Sequence, residues 1–547
     1  MNTHHERGIA LVLALFLMTA LSVLGASLMF LSQTETYASL NYRVMSQARY
    51  AAEAGVQKAA NFLLDSTQYP LPTPVGGVDP FANYDTTKSP VICTAGCAAV
   101  GQPVVLSATA DVASNYPVAA VRTAFNAAAQ GTLAAGNATL TYKAYATLVA
   151  MQKFESYGGG QAVIQTWEIT ADGGLSGSPK ATVEVVAQIE TPKVPANSMA
   201  AFATFNGCDA IYFHGDTTVN SYDSSLGPPV VSTEATDGDV GTNGNLHIKG
   251  STDVQGHLYT PRLGVGDCTA GAITGESVTG GKATVEGGEV PLPKAVVFPP
   301  PIFSTTPPTT PVTIDATLMG LPGGGPAICA QLGLTFGTNV TTPAGNCQIG
   351  TDPVSGNPKI TVNGYGADVT MPSVTVAGGY MLQFEGASPA ANVNINSLAG
   401  SGNIVFDSLG SLNQAVVLKV AGKNPPGVTN PSLADPSDML VAVDLASLGW
   451  KQNAAAPADM YDAAAIQIVY PGTGTINMKG NDQSAATVYA PNASFALTGT
   501  SDLFGSVLAK TIDNAGNANI HYDRRLQSQF FVAGQAMIAT FSWKRSS

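Results

Sequence analysis

Leu246-His247-Ile248-Lys249-Gly250-Ser251-Thr252-Asp253-Val254-Gln255-Gly256-His257-Leu258 aligns without a gap on Phe495-Ala496-Leu497-Thr498-Gly499-Thr500-Ser501-Asp502-Leu503-Phe504-Gly505-Ser506-Val507. Apolar, glycine and aspartate positions coincide. A third copy starts at Ile476, where Met478, Gly480, Val488, Tyr489 and Pro491 match Ile248, Gly250, Leu258, Tyr259 and Pro261. The copies at Ile476 and Phe495 are adjacent, and their spacing suits one coil of a parallel β-solenoid with alternate side chains pointing inward. Ile476, Met478 and Val488, with Phe495, Leu497 and Val507, are then core positions, and Gly480 and Gly499 mark turns with positive φ. A β-sandwich with recurrent hairpins is the rival reading of the same alternation.

Outward from the repeat, residues 199–523 read as one large all-β domain with proline-rich interruptions at 291–311 and 424–436, where missing N–H donors exclude a central strand. The first interruption reads as an extended strap or linker. Ile314 to Cys347 is expected to be an insertion closed by Cys329 and Cys347, and a short helix is expected near Ala455 to Ala465. Residues 66–198 read as a smaller α+β module, with strands expected at 138–155, 162–170 and 181–190 between glycine-rich turns. Residues 524–547 are assigned as a C-terminal cap.

The N-terminus is of another kind. Ile9 to Leu31 contains no ionisable side chain and, as a helix, is about 35 Å long, enough to cross a bilayer core of about 30 Å. Thr19, Ser22, Gly25 and Ser27 are interruptions that a membrane helix tolerates. A cleaved secretory signal is the competing reading, but Leu24 occupies the third position back from the small-residue site at Gly25-Ala26. Residues 9–32 are therefore assigned as a transmembrane helix, preceded by a leader at 1–8 and continued by a soluble helical part at 33–65. In that part Ala48, Ala52, Val56, Ala59, Ala60 and Leu63 make one apolar face.

Arg7-Gly8-Ile9-Ala10-Leu11-Val12-Leu13-Ala14-Leu15, followed by Gln47-Ala48-Arg49-Tyr50-Ala51-Ala52-Glu53-Ala54-Gly55, resembles the N-terminal segment of PilX-type minor pilins of type IV pilus systems. The resemblance covers about the first tenth of the chain. It implies cleavage by a prepilin peptidase between Gly8 and Ile9, with Ile9 as the new, N-methylated terminus. It further implies partnership with other pilins, with inner-membrane pilus assembly components and with the lipid bilayer. The protein would be single-pass in the bacterial inner membrane before assembly, with the bulk of the chain periplasmic or extracellular and later at the pilus or cell surface. Major pilins carry glutamate at the fifth mature position, which here is Leu13; the resemblance then points to a tip or priming subunit rather than a bulk one. A second resemblance, to the β-solenoid tail of some PilX-like proteins, rests on Tyr489-Ala490-Pro491-Asn492, the 499–505 segment, Ile520-His521-Tyr522-Asp523 and Ser542-Trp543-Lys544-Arg545.

Composition narrows the rest. Of 547 residues only 11% are charged, less than half the usual share, and a net charge of −13 disfavours nucleic acid as a partner. The six cysteines fall into local pairs, Cys93 with Cys97, Cys208 with Cys268 and Cys329 with Cys347, and in an exported chain these are candidate disulfides. Zinc is the alternative for a thiol pair, but no histidine or second pair completes a tetrahedral set. Asp253 and Asp502 read as equivalent turn positions, and His521-Tyr522-Asp523 as a cap on the last coil rather than a catalytic group. Asp237-Gly238-Asp239-Val240-Gly241-Thr242-Asn243 has calcium-loop flavour, but Ile248 stands where a bidentate glutamate belongs. Asn137-Ala138-Thr139 matches a glycan acceptor by pattern only.

No enzyme chemistry, cofactor or metal is expected. The reading is a structural subunit for pilus assembly or priming that presents a β-solenoid to a surface, partner or carbohydrate ligand. The alternative is a membrane-anchored or secreted β-helix protein that binds or acts on carbohydrate.

Overall fold

The computed structural model describes residues 5–65, 67–71, 79–136, 138–159, 161–176, 178–226, 237–301, 307–308, 310–337, 345–363, 368–386, 391–407, 415–421, 442–445, 448–450, 461–480, 484–500 and 502–544. The chain forms two compact units. One contains Met1–Lys153, Val163–Pro192 and Ala536–Ser547, and the other Phe154–Ala162 and Lys193–Gln535. The interruption expected at 424–436, residue 137 and the 451–460 part of the helix expected near 455–465 lie outside the described residues. The described end of that expected helix is a short 3-10 turn, Ala463–Ala465.

The first unit is organised by helix α1, His5–Leu64, and a mixed-length sheet containing the strands Val105–Ser107, Ala138–Glu155, Gln161–Leu175 and Ser178–Glu190. Helix α2, Ala119–Ala128, buries Val121 and Phe125, with Phe125 meeting Phe62 edge-on at 5.3 Å. The chain returns here at its end: Met537–Lys544 pairs antiparallel with Ser178–Glu190, Met537 opposite Glu190 and Lys544 opposite Glu184. The segment 524–547 assigned as a cap is therefore divided. Arg524–Ser528 is a 3-10 turn, Phe531–Ala533 pairs with Lys193–Pro195, and the remainder completes the sheet of the first unit. Strand pairing across such a separation leaves no mark in local pattern. For the same reason 154–162 and 193–198, read as parts of the first module, belong to the second unit.

The second unit is built from parallel ladders. Recurrent hairpins would pair its strands antiparallel, whereas among the described strand pairs of this unit only Cys347–Thr351 with Pro358–Asn363 and Phe531–Ala533 with Lys193–Pro195 are antiparallel. One ladder places Val369, Val393, Leu418, Ile468, Val488, Val507, Ala201, Val240 and Leu258 in a single column, each in register with the next. All nine are buried. A second column runs Ile476, Phe495, Ile512, Ile211 and Leu246, and a third runs Leu503, Ile520, Val219, Val254 and Val285. The aligned copies of the sequence repeat are thus equivalent in space: Phe495 shares a column with Leu246, Leu503 with Val254, and Val507 with Leu258. Gly499, with φ of +104°, occupies the left-handed turn that excludes a β-carbon.

The order of rungs is not the order of the chain. The first rung in sequence, at 201–222, lies in the middle of the stack, hydrogen-bonded on one side to 240–254 and on the other to the last rung, 507–523. Buried polar contacts close this seam: Asn514 Nδ2 donates to Thr217 Oγ1 at 2.9 Å, and the Tyr522 hydroxyl donates to the Asn197 carbonyl at 2.9 Å. The proline-rich stretch after Pro291 crosses the outer face of the first ladder. There Asn243 bonds both the N–H and the carbonyl of Val296 at 2.7 Å, Phe298 packs edge-on against Phe202 at 5.1 Å, and the Tyr489 hydroxyl donates to the Pro299 carbonyl at 2.6 Å. Proline carbonyls still accept, so a strap that cannot join a ladder can lie across one. At the far side, helices α3, Ala316–Met319, and α4, Gly325–Gln331, occupy the expected insertion, with Ile328 and Cys329 buried.

Candidate functional site: the N-terminal helix

Helix α1 changes character along its length. From Ile9 to Leu31 its large apolar side chains are exposed, Phe16 at 76% and Leu31 at 57%. The hydroxyls in this run turn back on the helix: Thr19 donates to the Leu15 carbonyl at 3.1 Å, Ser22 to Met18 at 2.7 Å and Ser27 to Val23 at 2.8 Å. The segment therefore presents no unsatisfied side-chain donor to an apolar medium. The Gly8-Ile9 junction lies inside the helix, and the Leu13 side chain is exposed.

From Ala48 onward the face changes. Ala48, Ala51, Ala52, Val56, Ala59, Ala60, Phe62 and Leu63 are buried. Small residues allow this close approach. A β-carbon on Gly173 would fall 2.1 Å from the Ala48 carbonyl oxygen and 2.2 Å from the Ala52 nitrogen, so only glycine fits at that crossing. Arg49 and Glu53 pair at 2.9 Å one turn apart on the outer face. Beyond the helix, Gln165 Oε1 accepts from the Tyr69 hydroxyl at 2.9 Å and from Trp167 Nε1 at 3.0 Å. Burial raises the Tyr69, Tyr84 and Tyr116 hydroxyls well above the ordinary tyrosine range, which fixes them as neutral donors.

The other candidates singled out in the sequence are engaged elsewhere. Cys93 is bonded to Cys97, Cys208 to Cys268 and Cys329 to Cys347. Asp253 and Asp502 stand in strands, Thr252–Val254 and Asp502–Asn514, not in turns, because the ladder continues through them. His521 stacks on Phe504 and meets Asn220 Oδ1 through Nδ1 at 2.5 Å, while Asp523 Oδ1 accepts from the N–H of Ser224 and of Arg525, each at 3.2 Å. That arrangement ties the last rung to its neighbours. In the 237–243 segment Asp237 pairs with Arg524 at 3.2 Å and Asp239 accepts from the His257 N–H at 2.8 Å. Among the described residues no group of three or more His, Cys, Asp or Glu side chains is placed to hold a metal.

Periodicity of the repeat does not reveal how its columns end. The first and second columns both end in acid: Leu258 is followed by Glu289 and Leu246 by Glu276 on the last described rung of that side. Burial, with the Glu289 charge beside it, raises the Glu276 carboxyl above its ordinary range. Extending the column alignment one rung further would have exposed the change.

Residues 7–57 match the family model described as PilX N-terminal. The N-terminal segment is thus similar to that of PilX-type type IV pilins. The matched stretch of helix α1 contains both halves, the bare apolar segment and the start of the buried alanine face. Residues 439–529 match a domain of unknown function, DUF7305, which falls within the parallel ladders. Among solved structures, the competence-associated pilin ComZ from Thermus thermophilus aligns over 92% of this chain and 98% of that one, at 13% identity and a TM-score of 0.22. A superposition that loose carries no argument about the fold. No curated protein matches the chain.

Proposed function

We propose that this chain is a minor subunit of a type IV pilus system, active in pilus assembly or priming, whose parallel ladders close into a β-solenoid displayed to a surface, a partner or carbohydrate. The observation that carries the reading is one continuous helix, bare and apolar from Ile9 to Leu31 and packed from Ala48 to Leu63, lying within the PilX N-terminal match for most of its length. Such a helix can be held in lipid and then repack against neighbouring pilin helices, because its exposed half is apolar all round.

In this reading prepilin peptidase cuts between Gly8 and Ile9, Ile9 is N-methylated, and the chain is anchored in the inner membrane by residues 9–32 until extraction. Leu13 gives the mature helix no carboxylate with which to neutralise a neighbour's terminal ammonium. An unpaired charge in an apolar filament core is costly, which favours a position at a tip or in a priming complex over one in the filament body. The mature terminus is the test. Mass spectrometry of protein from membranes and from sheared filaments is expected to give an N-methylated Ile9; cleavage near Ala26, or an intact Met1, would overturn the assignment.

A further inference from the structure

Within the second unit a cleft of about 320 Å³ is bounded by the turn Ser156-Tyr157-Gly158-Gly159, by the outer face of three neighbouring rungs and by Lys193 with Phe531. Its floor is in register: Asn392 lies beside Val417 and Val417 beside Gln467, while Lys419 stands next to Val469 on the same face. Two ammonium groups line this cleft, in a chain with 24 basic residues against 37 acidic ones. Lys193 is held there by aromatic faces, its Nζ lying 5.1 Å from the Phe154 ring centroid and 4.4 Å from that of Phe531. That contact restricts the ammonium without neutralising it. Neither lysine has a carboxylate partner within 4.0 Å among the described residues, and Glu155 is the single acid in the lining.

The remaining lining residues set the kind of ligand. Asn392 and Gln529 offer amide donors and acceptors, Gln467 is buried with its Nε2 donating to the Ala464 carbonyl at 3.0 Å, Ser156 offers a hydroxyl, and Phe530 and Phe531 are half-buried aromatic surfaces. Phe530 is braced from behind by Tyr157 at 4.4 Å, and Tyr157 in turn by Tyr489 at 5.3 Å. Gly158 keeps the turn low: its φ is +87°, and a β-carbon there would meet Pro301 of the strap at 3.3 Å. Cations for a carboxylate, amides for ring hydroxyls and aromatic faces for the apolar side of a ring are together the complement of an acidic sugar. A simple anion would use the lysines alone, and a neutral sugar would leave them without purpose.

We infer that this cleft is a binding site for acidic, carboxylate-bearing saccharide. It gives the displayed-ligand part of the proposed function a location and a ligand class, and it rests on that reading only in the sense that the site must face outward to meet such a polymer. The test uses the full chain in detergent, with trigalacturonate as the probe, maltotriose as the neutral control and inorganic phosphate as a competitor, titrated calorimetrically at two salt concentrations. Trigalacturonate is expected to bind at least tenfold more tightly than maltotriose and to weaken with salt. Lys419→Gln and Lys193→Gln are each expected to reduce its affinity about tenfold with an unchanged far-ultraviolet dichroism spectrum. Equal affinity for the neutral sugar, equal competition by phosphate, no binding, or binding untouched by Lys419→Gln would each overturn the assignment. Lys419→Gln is expected to leave the mature N-terminus unchanged, so loss of sugar binding and failure of the pilin reading are separate results.

Discussion

The bare half of helix α1 and the last described rung at 276–291 are both places where apolar architecture runs out of partners, and the chain treats them in opposite ways. Along Ile9 to Leu31 the side chains stay apolar on every face, so the segment needs another apolar phase, lipid or neighbouring helices. At the last rung the inward positions change from Leu246 and Leu258 to Glu276 and Glu289, so a further rung would have to bury two carboxylates. Charge placed on a sheet edge discourages edge-to-edge association. The difference teaches that the chain leaves apolar surface bare along the helix and replaces it with charge at the end of the ladders.

The sharpest way to break this comparison is to place one substitution in each half of the helix. Val56→Asp puts a carboxylate where the valine is fully buried, at an expected cost of about 5 kcal/mol or more. Hydrogen exchange in the strands 138–155 and 161–175 should then rise sharply while the ladders stay protected. Val23→Asp is expected to leave exchange in both units unchanged and to weaken membrane insertion by about 3 kcal/mol. Equal exchange in the two variants would mean that the halves do not differ as described.

Next in size is the bond between Cys208 and Cys268, which closes a span of 60 residues beside the last rung. Replacing both with serine should cost the second unit about 4 kcal/mol on the loop-entropy scale, against about 3 kcal/mol for Cys329 and Cys347, separated by 18. Denaturant midpoints of the two double variants, followed by exchange in each ladder, check the order.

The smallest effect concerns Glu276 itself. Its folded pKa is raised, so the folded state binds a proton that the unfolded state releases; stability falls as pH rises above the ordinary glutamate value of about 4.3 toward the raised one. Glu276→Gln should therefore raise the melting temperature at pH 7 by an amount worth under about 1 kcal/mol, given partial exposure, and change nothing near pH 3. A destabilised variant at pH 7 would show that Glu276 makes a favourable contact rather than ending a column.

Much of this was legible because the relevant signals are local. The apolar run at 9–31 and the alanine face from Ala48 to Leu63 lie within one helix, where spacing alone sorts faces. The copies at 246, 476 and 495 report their own columns because each rung repeats the same in-out alternation. Each cysteine pairs with the next one along the chain, 4, 60 and 18 residues away, so their order in the sequence already matched the pairing. The cleft around Lys193 and Lys419 had no such signal: its residues come from the 156–159 turn, three rungs and the 529–531 segment, and nothing in the sequence spacing joins them. Asp253 and Asp502 look like turn residues because aspartate favours turns, but the ladder around them decides the backbone.

By itself the sequence determined the bare helix, the buried alanine face, the columns of the repeat and the interruption of the ladders after Pro291. Each of these is set by residue chemistry at short range: hydrophobicity, the missing β-carbon of glycine, the missing N–H of proline. Only the tertiary structure decided that the rung at 201–222 would meet the rung at 507–523 in mid-stack, and that Met537–Lys544 would pair with Ser178–Glu190. Backbone hydrogen bonds are the same for every residue type, so a strand edge carries no label naming its partner. The choice among distant edges is made by what packs around them once the chain has closed.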